Sequence, residues 1–259
     1  MTIEKKFAEV VERITKRPYE RVKFRYDYFL GGVDVEGKDI VDIGAGGGLL
    51  SGYLAVRGAR RVVAVEPEMA GSLQGWTSDI QRLICEVGLE DRVSVVADDF
   101  VTAPLEDASF DIAVCQSAIN HIREVSDDIR FSGPARDAQR LVIRRMAEVL
   151  RPGGTLIASD YARANLWGRL GRWGHWSPFA QTTIEWDKHQ DPDAWGGVML
   201  EEGFTDYSVR WWVPWELRRA AWLISNRPVN YLTMSHFYMI ARRAAQPSAV
   251  RRRTVAERA

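Results

Sequence analysis

A chain of 259 residues does not by its length separate one domain from two, and 46% hydrophobic with 27% charged residues is ordinary for a water-soluble globular protein. The 35 basic residues balance 35 acidic ones, which argues against nucleic acid or a membrane surface as an electrostatic partner. Cys85 and Cys115 lie in apolar segments and read as buried thiols of a reducing compartment, too few to build a zinc site.

In chain order, the first thirty-odd residues mix charge with aromatics, and Phe7, Val10, Val11 and Ile14 fit one helical face. From residue 39 the pattern alternates. Strands are predicted at 39–43, 61–66, 92–97, 111–116 and 154–160, and helices at 48–57, 69–87 and 135–150. This rhythm predicts a parallel sheet covered on both faces. Arg151-Pro152-Gly153-Gly154 reads as a turn between the last helix and its strand. After residue 160 the rhythm breaks. Residues 161–190 are rich in Gly, Trp and Arg without a period; then come a short helix at 192–202, a strand to about 212, an amphipathic helix from Pro214 to Asn226 and a last strand at 231–241. The tail carries Arg251, Arg252 and Arg253 and reads as a disordered, solvated end. No apolar run approaches the roughly 18 residues of a membrane span, and no signal-peptide core is present, so a cytoplasmic location is expected.

The chemistry-bearing stretch is Val41-Asp42-Ile43-Gly44-Ala45-Gly46-Gly47-Gly48-Leu49. Glycines at a strand-to-helix turn let the backbone approach a ligand closely, and in an open α/β sheet that turn is where nucleotide-like molecules bind. A dinucleotide fingerprint needs a third glycine where Leu49 stands. Asp42, just before the loop, would repel a pyrophosphate and suits a ligand bearing a positive amine.

This pattern resembles motif I of the class I S-adenosylmethionine (SAM) dependent methyltransferases. Further motifs follow in the family's order: Val62 to Pro67, Val93 to Phe100, Ser109 to Gln116 and Leu150 to Ile157. The resemblance implies an α/β fold with a Rossmann-like, seven-stranded, mostly parallel sheet, helices on both faces and a C-terminal Trp-rich cap. It also implies SAM as cofactor, with S-adenosylhomocysteine as product. Carried over by motif, the cofactor-binding residues are Asp42, Gly44, Ala45, Gly46, Glu66, Pro67, Asp98, Asp99, Phe100 and Gln116. Glu66 stands where the ribose hydroxyls are held, and Asp99 or Asp98 where the adenine amino group is, with spacing from Phe110-Asp111 favouring Asp99. Phe100 would lie on the adenine face, and Gln116 by the methionine part. Thr183 to Pro192 is similar to a subgroup of bacterial methyltransferases that accompany sugar, polysaccharide or natural-product pathways.

Methyl transfer from a sulfonium needs positioning and electrostatics, and an aliphatic or sugar hydroxyl acceptor also needs a general base. Histidine suits that task. His121 follows the strand that passes the donor, and His189 lies in a segment expected over the sheet's carboxyl edge; these are the catalytic candidates. Tyr26, His175, Trp176, Glu185 and Trp186 are the substrate-binding candidates. Asp160 with Asn120 is too thin a basis for a metal, so none is expected.

The reading is thus O-methylation of a small-molecule or sugar acceptor by SAM. N- or C-methylation of a natural product, a NAD-dependent oxidoreductase and an inactive SAM-binding subunit are the alternatives. Residues 1–34 are expected to form a helical cap, 35–243 the catalytic domain with 161–190 as substrate cap, and 244–259 a disordered basic tail. The oligomeric state is left open, with a homodimer among the options.

Overall fold

A computed structural model describes residues 2–67, 75–170 and 184–245. Helix α1 (Ile3–Thr15) buries Phe7, Val10 and Val11, while Ile14, the fourth residue of the predicted apolar face, is exposed. Helix α2 (Tyr19–Leu30) starts after Pro18 and ends at Gly31, which takes the left-handed conformation that closes a helix. Then come β1 (Asp39–Ile43), α3 (Leu49–Val56), β2 (Arg61–Val65), α4 (Trp76–Val87), β3 (Val93–Val96), β4 (Phe110–Gln116), α5 (Gly133–Val149) and β5 (Leu150–Tyr161). A short helix α6 (Leu166–Arg169), α7 (Pro192–Glu201), β6 (Phe204–Trp211), the small helices α8 (Ala221–Ile224) and α9 (Arg227–Tyr231), and β7 (His236–Arg243) complete the described chain.

The seven strands form one sheet in the order β3-β2-β1-β4-β5-β7-β6. β1 to β5 run parallel, and β7 inserts antiparallel between β5 and β6. Both faces are covered, which explains the unbroken apolar strands. Alternate residues feed opposite cores. Ile40 and Val62 pack with α1, α3 and α4 through Phe7, Leu54 and Ile80, whereas Val41 and Val63 pack with α5 and α7 through Ile143, Met146 and Trp195. Helices α1 and α2 share a core with β1, with Phe7 and Phe29 fully buried.

Three elements differ from the sequence expectation. The Arg151–Gly154 turn lies inside β5, where the β4–β5 register shifts between Phe110 and Ile112 and Gly153 has φ +78°. The predicted helix from Pro214 to Asn226 is instead a 3-10 turn (Trp215–Ala220) and the four-residue α8. Ser225 and Asn226 break it. The Ser225 hydroxyl accepts from the Trp211 N–H, and Asn226 caps α9 by accepting from the Val229 N–H, local bonds that compete with a helix ladder. The last strand begins at His236 rather than near 231 because α9 takes those residues.

At the amino edge of the sheet Arg60 and Arg151 converge on Asp39, Arg151 also reaching Asp111 at 2.7 Å. These pairs tie β1, β4 and β5 together, and Arg151 and Asp111 line a cavity of about 550 Å³ on the side away from the glycine loop. No described helix is long and apolar enough to cross a membrane.

Candidate active site

Strand order reverses between β1 and β4, and the helices that follow them, α3 and α5, cover opposite faces. A crevice therefore opens beyond the carboxyl ends of these two strands. The glycine loop forms one wall. Gly44 has φ +70°, and a Cβ there would stand 2.5 Å from the Ala118 side chain; Gly46 has φ +53°, and a Cβ there would stand 2.7 Å from the Trp76 ring. Both the backbone conformation and the close approach require glycine.

Two buried carboxylates face this loop. Asp42, 1% exposed at the end of β1, accepts the Ser51 hydroxyl at 2.6 Å. Burial pushes its carboxyl up to about 7, the Ser51 bond opposes this, and the nearby Glu66 adds to it. Glu66, just past β2, accepts the Gly46 N–H at 2.8 Å, and burial raises it also.

These groups belong to one cleft of about 760 Å³. Of the sequence candidates, Tyr26, Asp42, Gly44, Ala45, Gly46, Glu66, Pro67, Asp99, Phe100, Gln116 and His121 line it. Asp98 does not; its carboxylate accepts the Asp99 N–H at 2.7 Å and holds the turn. Gln116 accepts from Arg25 Nη2 at 3.2 Å, so α2 touches the end of β4. Tyr26 is buried, its ring 5.1 Å from that of Tyr53, and burial lifts its hydroxyl to about 12. Sequence reading missed Trp76 as a lining residue. Its position at the start of α4, the helix that follows β2, is the available signal.

A second group lies beside the cleft, beyond β4 and β5. Buried Asp160 accepts the N–H groups of Tyr161 at 2.8 Å and Asn120 at 3.3 Å, with His189 Nδ1 3.3 Å away. Burial pushes its carboxyl up, but His189 and the Tyr161 N–H outweigh that and hold it below the ordinary value. His189 Nδ1 is also 2.9 Å from Asn120 Nδ2, and Asn120 Oδ1 accepts the Gln190 N–H at 3.1 Å. His189 is thus buried and clamped behind the cleft rather than on it. Its ring is edge-on to that of His121 at 5.6 Å, and His121 turns Nδ1 toward Glu124 at 3.3 Å. His236 packs on Tyr161 at 4.8 Å; burial drives it down to about 4, so it is neutral, and its Nε2 has no partner among the described residues.

The other substrate candidates scatter. Glu185 is exposed and paired with Lys188 at 2.7 Å. Trp186 stands edge-on to Tyr161 and lines a separate depression with Arg163 and Asp191. Neither reaches the cleft. His175 and Trp176 lie outside the described residues. Trp195 is fully buried in the core and Trp222 is 84% exposed, so the tryptophans after residue 160 do not form one wall. Among the described residues, no group of three His, Cys, Asp or Glu side chains is placed to hold a metal.

Residues 41–158 match the sequence profile of a family described as a methyltransferase domain, the stretch that carries the glycine loop, Glu66, Asp99 and Gln116. That stretch is a methyltransferase domain, and the sheet built around it has the class I SAM-dependent methyltransferase fold. The chain is 31% identical over 143 residues to a ubiquinone biosynthesis O-methyltransferase of Xanthomonas oryzae, covering 54% of this chain and 49% of that protein. To an enzyme of the same name from Xylella fastidiosa it is 29% identical over 223 residues, covering 80% of this chain and 77% of the other. The chain thus spans about half the length of the first of these relatives and more of the second. In fold it is similar to a geranyl diphosphate C-methyltransferase from Streptomyces coelicolor, with TM-score 0.60, 14% identity, and coverage of 91% of this chain and 83% of that one.

The cleft fits SAM. Two buried carboxylates suit a ligand carrying an ammonium and ribose hydroxyls, the loop presents backbone where a Cβ would intrude, and Phe100 and Trp76 offer flat apolar surface. A pyrophosphate would meet both acids.

Proposed function

We propose that this methyltransferase transfers the methyl group of SAM to a hydroxyl of a small molecule, with His121 as general base. The observation that carries the reading is His121 on the wall of the donor cleft, with the His189–Asp160–Asn120 cluster one ring behind it.

In the donor half, Glu66 holds the ribose hydroxyls and Asp42 the ammonium. Asp99 faces the adenine amino group, with Phe100 on the ring face. SAM supplies a methyl group on a positively charged sulfur. His121 takes the proton from the acceptor oxygen; that oxygen forms the new bond to the methyl carbon, and the carbon–sulfur electron pair leaves with sulfur. Glu124 orients His121 through Nδ1. His189 acts through His121 as a positioning residue, because it is buried and outside the cleft lining.

Support from the relatives is coarse: those named above are O-methyltransferases of ubiquinone biosynthesis, which makes a phenolic hydroxyl the first acceptor class to test. A sugar hydroxyl is the second. The test is formation of S-adenosylhomocysteine and methylated product across a panel of phenols, catechols and sugars. His121→Ala is expected to lower kcat at least tenfold on an active acceptor, and His189→Ala to lower it less. Full activity in both variants would remove the base; N- or C-methylated product would redirect the reading to another acceptor atom.

A further inference from the structure

A second cavity, of about 300 Å³, lies between α2 and the segment after β6. Three arginines line it, Arg17, Arg21 and Arg25, along with the rings of Phe24, Trp212 and Trp215. Tyr26 and Leu49 line both this cavity and the donor cleft, so the two adjoin. Arg21 is paired with Glu216 at 2.9 Å. Among the described residues neither Arg17 nor Arg25 has a carboxylate partner; Arg25 donates to the neutral amide of Gln116. The cavity thus carries two uncompensated guanidinium groups between aromatic walls, in a protein whose total charge is zero.

We propose that this cavity holds the acceptor, and that the acceptor is an aromatic carboxylate. The inference rests on the methylation reading above and names its substrate class. A guanidinium fork matches a carboxylate in two parallel hydrogen bonds, and such charge-assisted bonds are stronger than neutral ones. Phe24 and Trp215, whose rings are 5.3 Å apart and near perpendicular, form a corner that takes a flat ring by edge and face contact. Arg218 stacks on Trp215 at 3.8 Å and fixes that wall. The volume is at the lower bound for small-molecule sites, matching a single substituted benzene ring rather than a long chain. Tyr26 and Leu49 border both spaces, so a ring held among these side chains faces the donor cleft past Tyr26.

Calorimetric titration into the protein saturated with S-adenosylhomocysteine tests this without any turnover. The probes are 3,4-dihydroxybenzoate, neutral catechol and phenyl phosphate. The proposal expects the dihydroxybenzoate to bind about tenfold more tightly than either of the others. Arg17→Gln, on the surface and away from the core, should weaken that binding severalfold while leaving affinity for S-adenosylhomocysteine unchanged. Trp215→Ala should weaken both dihydroxybenzoate and catechol. Equal affinity for dihydroxybenzoate and catechol would overturn the proposal, and so would tighter binding of phenyl phosphate. It would also fall if Arg25→Gln weakened S-adenosylhomocysteine alone, since that arginine would then serve the donor's own carboxylate. Binding as predicted but without methylated product would instead count against the hydroxyl-transfer reading and leave this site standing.

Discussion

Asp42 connects the sequence to the proposed donor site more directly than any other side chain. Its burial raises the carboxyl to about 7, so in the ligand-free protein it carries a proton over much of the acidic range. An ammonium ligand favours the ionised form. Affinity for S-adenosylhomocysteine should therefore be flat above pH 8 and fall as pH drops through 7, by up to about tenfold per unit. Calorimetry across pH 5.5–8.5 reads this directly, and Asp42→Asn should bind more weakly at pH 8 with the slope gone. Buried His236 titrates in the opposite sense. Its folded value, about 4, lies below the ordinary 6.5, so the unfolded chain takes up the proton first and stability from this group is lost as pH falls from 6.5 toward 4. Urea unfolding should show His236→Phe gaining about 2 kcal/mol relative to the parent between pH 7 and pH 5. An unchanged difference would mean that His236 is not neutral and buried. At this scale the sequence was readable where backbone chemistry dictates a residue, as at Gly44. It was not readable where tertiary packing decides: Trp76 over Gly46, or His189 turned inward onto Asp160, follow from contacts between segments far apart in the chain.

Among the elements, the β1–α3 turn is the most constrained. Gly44 combines a positive φ with a neighbour 2.5 Å from any added Cβ. Gly44→Ala is expected to destabilise the protein by about 1–3 kcal/mol and to weaken S-adenosylhomocysteine binding more than tenfold, because the loop must move away from Ala118. Thermal unfolding with and without the ligand separates the two effects: the variant's lower midpoint should gain little on ligand addition, where the parent gains several degrees. A variant stabilised by ligand as much as the parent would mean that the loop is not part of the donor site. The core strands were legible because both faces of a parallel sheet are buried and their apolar runs are continuous. Residues 214–226 were misread for an equally physical reason. Their apolar side chains keep helical spacing, yet Leu217, Trp222 and Leu223 are all exposed. With little packing to reward a helix, the side-chain bonds of Ser225 and Asn226 divide the segment.

For the whole molecule, strand order decides where function lies. The reversal between β1 and β4 puts Asp42, Glu66, Asp99 and Gln116, from four separate strand ends, around one cleft. The ordered motifs grouped those four residues in advance, and the structure lines one cleft with them. The acceptor half was less legible. Its arginines and aromatics come from α2 with the residues just before it and from the segment after β6, some 190 residues apart, and no local pattern links Arg25 to Trp215. The central claim is that the β1–β4 cleft is a SAM site held by buried carboxylates. Isothermal titration of S-adenosylhomocysteine into the parent protein and into Glu66→Ala tests it most directly. The account predicts one site per chain in the parent and at least a tenfold loss in the variant, with no heat from NAD in either. Binding of NAD in place of S-adenosylhomocysteine, or equal S-adenosylhomocysteine affinity in both proteins, would contradict it.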